Sequence, residues 1–335
     1  MRSPVPIATG LLAAVVVGLS LAAPGAQAPT LSPGARVLLD AHNAYPYEGR
    51  YADRLERALA TGLPVAIEQD LVWRPRADGS GDSVVGHDTD KVADAPTLEA
   101  YFFSQIRAVM ERALQANRRD TWPLVVLNLD FKTNERAHHE AVRRLLAQHR
   151  TWLTTAPRTA TPDTPAPLTV GPLLVLTGSN DSQQTDFHDA REVGEVIWLF
   201  GAYEAPPPPG TTSSERALAL AGMTPEILLP HRASNYRRWA NFPWHVVEAG
   251  GQTQAAEWTP ADRARLDAIV GRAHAQGLFI RFYTLNGHAP ADDQGWSTGY
   301  NFGSLAAARL RWQAVRDAGV DFIATDQYEA FAKGR

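Results

Sequence analysis

The chain has 335 residues, 44% of them hydrophobic, with 32 Lys+Arg against 36 Asp+Glu and a formal charge of −4. A slightly acidic chain offers no basic face for nucleic acid, and the absence of cysteine excludes disulfides and thiolate metal sites, so any metal must be bound by oxygen or imidazole. About 300 residues suffice for two average domains or for one α/β barrel.

The first segment does not belong to a fold. Arg2 precedes an apolar run from Ile7 to Ala23 that ends in Ala26-Gln27-Ala28, the charge, apolar stretch and small-x-small site of a secretory signal peptide. Residues 1–28 are expected to be removed, leaving residues 29–335 as an exported protein, periplasmic or extracellular. From there, short β-rich apolar runs alternate with longer amphipathic stretches, the rhythm of βα units around a parallel sheet. Strands are predicted at Val37–Asp40, Val65–Val72, Leu124–Phe131, Leu173–Thr177, Val196–Phe200, His245–Glu248, Phe279–Leu285 and Phe322–Thr325, with Ile227–Pro230 competing for the sixth place. Helical patterns span Tyr51–Thr61, Leu98–Ala116, Glu135–Leu153, Pro260–Gln276 and Leu305–Ala318, with Gly62, Gly277 and Gly319 as C-terminal stops.

Two stretches rich in Pro and Thr, Thr155–Pro172 and Ala205–Ser214, interrupt the alternation and read as surface loops. The βα rhythm resumes after each, and a barrel cut there would leave strand edges unpaired. The expected architecture is α/β, a single-domain TIM-type (β/α)8 barrel.

Such a barrel carries its active site at the C-terminal ends of the strands. Five apolar runs end there in polar residues: His42-Asn43, Glu68-Gln69-Asp70, Gly86-His87-Asp88, Asp130-Phe131-Lys132, and Asp326. Glu68 and Asp70, two apart on a strand, share one face, and Asp130 with Lys132 repeats the arrangement. Either pair alone suits an exposed edge strand, and either histidine alone suits a structural role. Their joint occurrence at strand-to-loop junctions favours a site. Three converging carboxylates would repel, which makes one divalent cation the natural compensation, with oxygen donors favouring Mg²⁺ or Ca²⁺ over zinc.

The order of these motifs resembles the glycerophosphodiester phosphodiesterases and the wider superfamily of phosphatidylinositol-specific phospholipases C. The resemblance rests on His42-Asn43, Glu68-Gln69-Asp70, Gly86-His87-Asp88 followed by Pro96-Thr97-Leu98-Glu99, Leu129-Asp130-Phe131-Lys132, Ile280 to Asn286, and Ala318 to Asp326. It implies that Glu68, Asp70 and Asp130 hold the metal, that His42 and His87 act as general base and acid, and that Lys132 contacts phosphate. The implied substrate is a phosphodiester or phospholipid, attacked in part of the family by its own neighbouring hydroxyl to give a cyclic phosphate. The His42-Asn43-Ala44-Tyr45-Pro46 start departs from the His-Arg-Gly start of glycerophosphodiesterases and looks like a bacterial and fungal phospholipase C-like branch. Retention of Glu68 and Asp70 argues against the metal-independent inositol lipases.

Other features carry less. The Gly295–Gly303 segment follows the seventh strand, so Trp296, Tyr300 and Phe302 would overhang the mouth; loop packing is favoured over headgroup cover or transient membrane-surface contact through Trp296–Phe302. Trp239, Phe242 and Trp244 are likewise expected to pack. His231, Arg232 and Tyr236 are candidates for the mouth, and His138-His139 for solvated helix surface. No obligate protein partner is evident. The rival functions are an exported glycoside hydrolase, with its flanking acids, and a noncatalytic lipid- or phosphate-binding barrel.

Overall fold

The computed structural model describes residues 31–47, 49–116, 122–248, 257–289, 291 and 301–334. The predicted signal peptide and residues 292–300 of the aromatic loop lie outside these. Among the described residues no helix is long and apolar enough to cross a membrane.

The described residues form eleven strands: β1 (Leu38–Ala41), β2 (Val65–Pro75), β3 (Gly81–Val85), β4 (Val125–Phe131), β5 (Ala156–Pro157), β6 (Leu173–Thr177), β7 (Val196–Ile197), β8 (Gly201–Glu204), β9 (Arg237–Pro243), β10 (Phe279–Tyr283) and β11 (Phe322–Thr325). Eight of them run parallel in the order β6-β4-β2-β1-β11-β10-β9-β8. A parallel bridge from Leu176 to Phe200, just before β8, brings the two ends together, so the barrel is nearly closed. Helices follow most strands, at Arg54–Ala60, Ser104–Gln115, Arg136–Gln148, Pro260–Ala275 and Leu305–Asp317, close to the predicted spans. Gly62, Gly277 and Gly319 end three of them at φ of 105°, 77° and 76°, a left-handed conformation that costs glycine little.

The period of two along each strand sorts the core from the site. Leu38, Ala66, Val126, Phe279 and Phe322 fill the entry end of the barrel around Trp239. Two residues further along, the same face turns polar: Asp40, Glu68, Asn128 and Arg281, the last three lining a cavity at the exit end. The alternate residues, such as Leu39, Ile67, Leu127 and Ile280, pack outward against the helices. One end of a single barrel is thus a hydrophobic plug and the other a charged mouth.

Two predicted strands are displaced. Val196–Phe200 does not supply the fifth barrel strand: Val196 and Ile197 form β7, paired antiparallel with β5 away from the barrel, and β8 follows at Gly201–Glu204. Gly201 is needed there because a Cβ would lie 2.3 Å from the ring of Tyr236. The sixth place belongs neither to His245–Glu248, which begins in a 3-10 turn at Trp244–Val246, nor to Ile227–Pro230, which overlaps a short helix, Pro225–Leu228, capped by Thr224. It belongs to β9, where two arginines, an asparagine and a proline disguise the apolar Trp239, Ala240 and Phe242. The arginines' charges are answered by other elements: Arg237 donates to the oxygens of Ser179 and Ala202 and pairs with Asp181 at 2.9 Å, and Arg238 donates to the oxygens of Asn235 and Ala166.

β9 also moves His231, Arg232 and Tyr236. They precede a strand rather than follow one, and Ala233 bonds Gln276 O while Asn235 bonds Pro157 O and Pro162 O, which puts the segment at the entry end, away from the mouth. Tyr236 is buried. Trp239, Phe242 and Trp244 are fully buried, and Phe302 packs edge-on to Trp244 at 6.5 Å. His138 and His139 are not solvated surface. Both are buried, His138 between Ser83 Oγ (2.8 Å) and Thr133 Oγ1 (3.0 Å), His139 against Asp186 Oδ2 (2.7 Å). Polar partners on neighbouring elements make this helix face a core face.

Candidate active site

β2 and β4 are the spine of the site. Their parallel register sets Glu68 beside Asn128 and Asp70 beside Asp130, so four inward-facing polar residues form two rungs. Glu68, Asp70 and Asp130 each offer one carboxylate oxygen, all within 4.8 Å of one another. Lys132 continues from β4 and ties the lower pair together, with Nζ 3.0 Å from Asp70 Oδ2 and 2.7 Å from Asp130 Oδ2.

Neighbouring strands fix each carboxylate. Arg281, inward-facing on β10, donates to Glu68 Oε1 at 3.0 Å, to Asp40 and to Asn241 Oδ1 at 3.0 Å. Glu68 Oε2 accepts from the backbone N–H of Asn43 at 3.1 Å, which the chain presents by turning through φ 53° after β1, a conformation asparagine tolerates. Tyr45 donates to Asp70 Oδ2 at 2.8 Å.

His42 lies across from this cluster. Its Nε2 is 3.4 Å from Glu68 Oε2, and its Nδ1 is 3.4 Å from Asp326 Oδ1 at the end of β11. Asn43 Nδ2 sits 2.6 Å from the same ring nitrogen and donates to Asp326 Oδ1 at 3.0 Å. Asp326 is in turn held by Asn286 and by Arg54, 3.5 Å away. His87 arrives by another route. β2 overruns the barrel, β3 folds back on it antiparallel, and the turn that follows is pinned by Gly86 N–H to Asp70 O at 2.9 Å. His87 therefore stands on the rim, its side chain 49% exposed against 16% for His42, with Nδ1 2.7 Å from Asp88 Oδ1.

Charge in the mouth is unevenly compensated. Burial, reinforced by the Asp130 charge, pushes the Asp70 carboxyl up to about 8. Burial works upward on Glu68 too, but Arg281, His42 and Lys132 together hold it below the ordinary range. For His42 burial works downward and loses to the Glu68 and Asp326 charges, which raise the imidazole to about 9. Asp326, with His42 and Arg54 overcoming its burial, falls to about 2. A carboxyl that holds a proton near neutrality beside two more carboxylates lacks positive charge. Three hard oxygen donors so placed suit Mg²⁺ or Ca²⁺.

All six predicted residues, His42, Glu68, Asp70, His87, Asp130 and Lys132, line one cavity of about 290 Å³. Sequence reasoning assigned no role to Arg281, Asn241, Glu204 or Tyr283, which line the same cavity, nor to Tyr45 and Asp326 behind it. Arg281 had a detectable signal: in Phe279-Ile280-Arg281-Phe282-Tyr283 it shares the inward face with Phe279, and a buried arginine needs carboxylate partners. Glu204 and Asn241 had none, because β8 and β9 were misplaced.

No protein-family model matches the chain, and no curated protein matches it. Solved structures similar to it include a glycerophosphoryl diester phosphodiesterase from Parabacteroides distasonis, 14% identical at a TM-score of 0.41, with 92% of this chain and 93% of that one covered. Another is a calcium-dependent phosphoinositol-specific phospholipase C from a Pseudomonas species, 13% identical at 0.42, covering 90% and 92%. A Plasmodium falciparum HPPK-DHPS is similar at 8% identity and 0.40, over 90% of this chain and 47% of that one. At these scores the likeness carries no argument about function, which rests on the residues of the mouth.

Proposed function

We propose that the chain is a metal-dependent phosphoric diester hydrolase acting on a glycerophosphodiester or phospholipid-type substrate. The observation that carries this is the meeting, in one cavity, of three carboxylates within 4.8 Å of one another with Lys132 and with two histidines delivered by different strands. The motif order that resembles glycerophosphodiesterases and phospholipases C supports the same reading.

Glu68, Asp70 and Asp130 are the residues to hold one divalent cation, Mg²⁺ or Ca²⁺. Bound there, it would polarise a phosphoryl oxygen and share the Glu68 charge, one of the two that keep His42 protonated. Lys132 Nζ donates to a second phosphoryl oxygen as charge builds on it. His42 takes the proton of the attacking hydroxyl, its ring oriented by Asp326 and Asn43. His87, with Nδ1 held by Asp88, gives a proton to the leaving oxygen from the rim, where a departing alcohol reaches solvent. Whether the attacking hydroxyl belongs to the substrate or to water sets cyclic against open product. Export after cleavage at residue 28, and transient contact with a membrane surface through the loop that ends at the packed Phe302, belong to the same proposal.

The test is a turnover screen with added Ca²⁺ or Mg²⁺ over glycerophosphodiesters, lysophospholipids, phosphatidylinositol and sphingomyelin, with products identified by phosphorus NMR. Turnover of at least one diester, abolished by EDTA and restored by the cation, is expected. Activity that survives exhaustive chelation would sink the metal, and unchanged turnover in both His42→Ala and His87→Ala would sink the acid–base pair.

A further inference from the structure

At the end of the barrel opposite the mouth lies a cavity of about 420 Å³ that shares no lining residue with the site around Glu68. Its walls are the segments leading into β1, β2 and β4 and the last turns of the helix Ser104–Gln115. Leu63, Val109 and Leu124 give it an apolar side. Among the described residues its polar side chains are Arg36, Arg112 and Trp122, all hydrogen-bond donors, and none of them is a carboxylate.

Two of these donors are buried and unanswered. Among the described residues Arg36 Nε and Trp122 Nε1 reach no acceptor. Trp122 is 3% exposed, its ring edge-on to Phe279 at 6.2 Å, so the indole N–H cannot turn to solvent without leaving the core. The Arg36 guanidinium lies 5.6 Å from the centre of the same ring, and among the described residues neither Arg36 nor Arg112 is in an ion pair. Buried indole N–H groups normally have a partner, and an unanswered buried donor calls for one.

We propose that this cavity is a second binding site, for a small organic anion in which one carboxylate or phosphate group is joined to an apolar body. The anionic oxygens would meet the two guanidinium forks and the indole N–H, while the apolar body lies against Leu63, Val109 and Leu124. The volume of about 420 Å³ is that of a small-molecule site, and its polar donors converge beside an apolar side. The site is independent of the catalytic reading, since it involves none of its residues.

Calorimetric titration of the full chain with octyl phosphate and with octanoate, each below its micellar concentration, tests this and tells phosphate from carboxylate. Saturable binding of at least one is expected. Arg36→Ala and Arg112→Ala should each weaken it about tenfold, as loss of a charge-assisted hydrogen bond does, and Trp122→Phe should weaken it through the N–H alone. Asp130→Asn, which alters the mouth, should leave it unchanged, and circular dichroism checks that each variant is folded. No saturable heat with either compound overturns the proposal, as does binding that follows Asp130→Asn and ignores the folded arginine variants.

Discussion

Asp130 and Glu68 offer the same functional group to the mouth from different depths, and the difference separates binding from stability. Asp130 has a side chain 46% exposed, whereas that of Glu68 is 5% exposed and answers the buried Arg281. Asp130→Asn is expected to lower cation affinity and diester turnover on the order of 10–100-fold with an unchanged urea midpoint. Glu68→Gln should lose activity and also about 3–5 kcal/mol of stability, because the Arg281 charge remains buried with Asp40 as its one carboxylate; urea titration of the two variants side by side checks the contrast. His138 reports on pH instead. Burial lowers this imidazole to about 4, below its unfolded value, so the unfolded chain takes up the proton first as pH falls. The stability it contributes is complete above about pH 6.5 and is lost progressively toward pH 4, amounting to about 2 kcal/mol between pH 7 and pH 5. Denaturant titrations at those two pH values should show a smaller acid loss in His138→Gln than in the parent chain.

Among elements, the β2–β3 hairpin does the least for the barrel and the most for His87. β3 and the overrun of β2 stand outside the parallel ring, yet Gly86 N–H and Lys132 N–H both bond to carbonyls of β2, at Asp70 and Leu71, which couples the hairpin to the carboxylates. Its weak point is Gly81, where a Cβ would come within 2.4 Å of Trp73 and 2.8 Å of Arg74 O. Gly81→Ala should cost about 1–3 kcal/mol by overpacking and should lower kcat through displacement of His87. Gly79 lies in the same turn at φ 82° with nothing within 4 Å of a Cβ, so Gly79→Ala should cost about 1 kcal/mol of backbone strain and leave kcat alone; calorimetric melting and steady-state kinetics on both variants separate the two. The hairpin was legible in sequence as a destination, Gly86-His87-Asp88 after an apolar run, but not as a strand. The sheet pairing of β3 with the overrun of β2 depends on a partner that no local pattern names.

For the molecule as a whole, a charged mouth set on a hydrophobic plug would tie stability to the proposed cation. Carboxylates that repel in the folded state are relieved by binding, so Ca²⁺ or Mg²⁺ at a hundredfold excess over Kd should stabilise the chain by about 2.7 kcal/mol, read as a rise in Tm that EDTA reverses and that Asp130→Asn diminishes. The same construction explains what could be read without coordinates. Strands such as β2 and β4 declare themselves, because both faces are buried and the inward one changes from apolar to acidic at a fixed step of two. From that step follow four residues of the mouth, Glu68, Asp70, Asp130 and Lys132, and the preference for oxygen donors, while the barrel class follows from the alternation of strands with helices. β8 and β9 do not declare themselves: one is four residues long, and the other carries two arginines whose partners, Asp181 and Ala202 O for Arg237 and Ala166 O for Arg238, are distant in sequence. The burial of His138, the place of Arg281 between Asp40 and Glu68, and the grip of Asp326 on His42 have the same origin. Periodicity along the chain determines which way a side chain points, whereas its partner, and hence its charge and its burial, is decided only when strands far apart in sequence are brought into register.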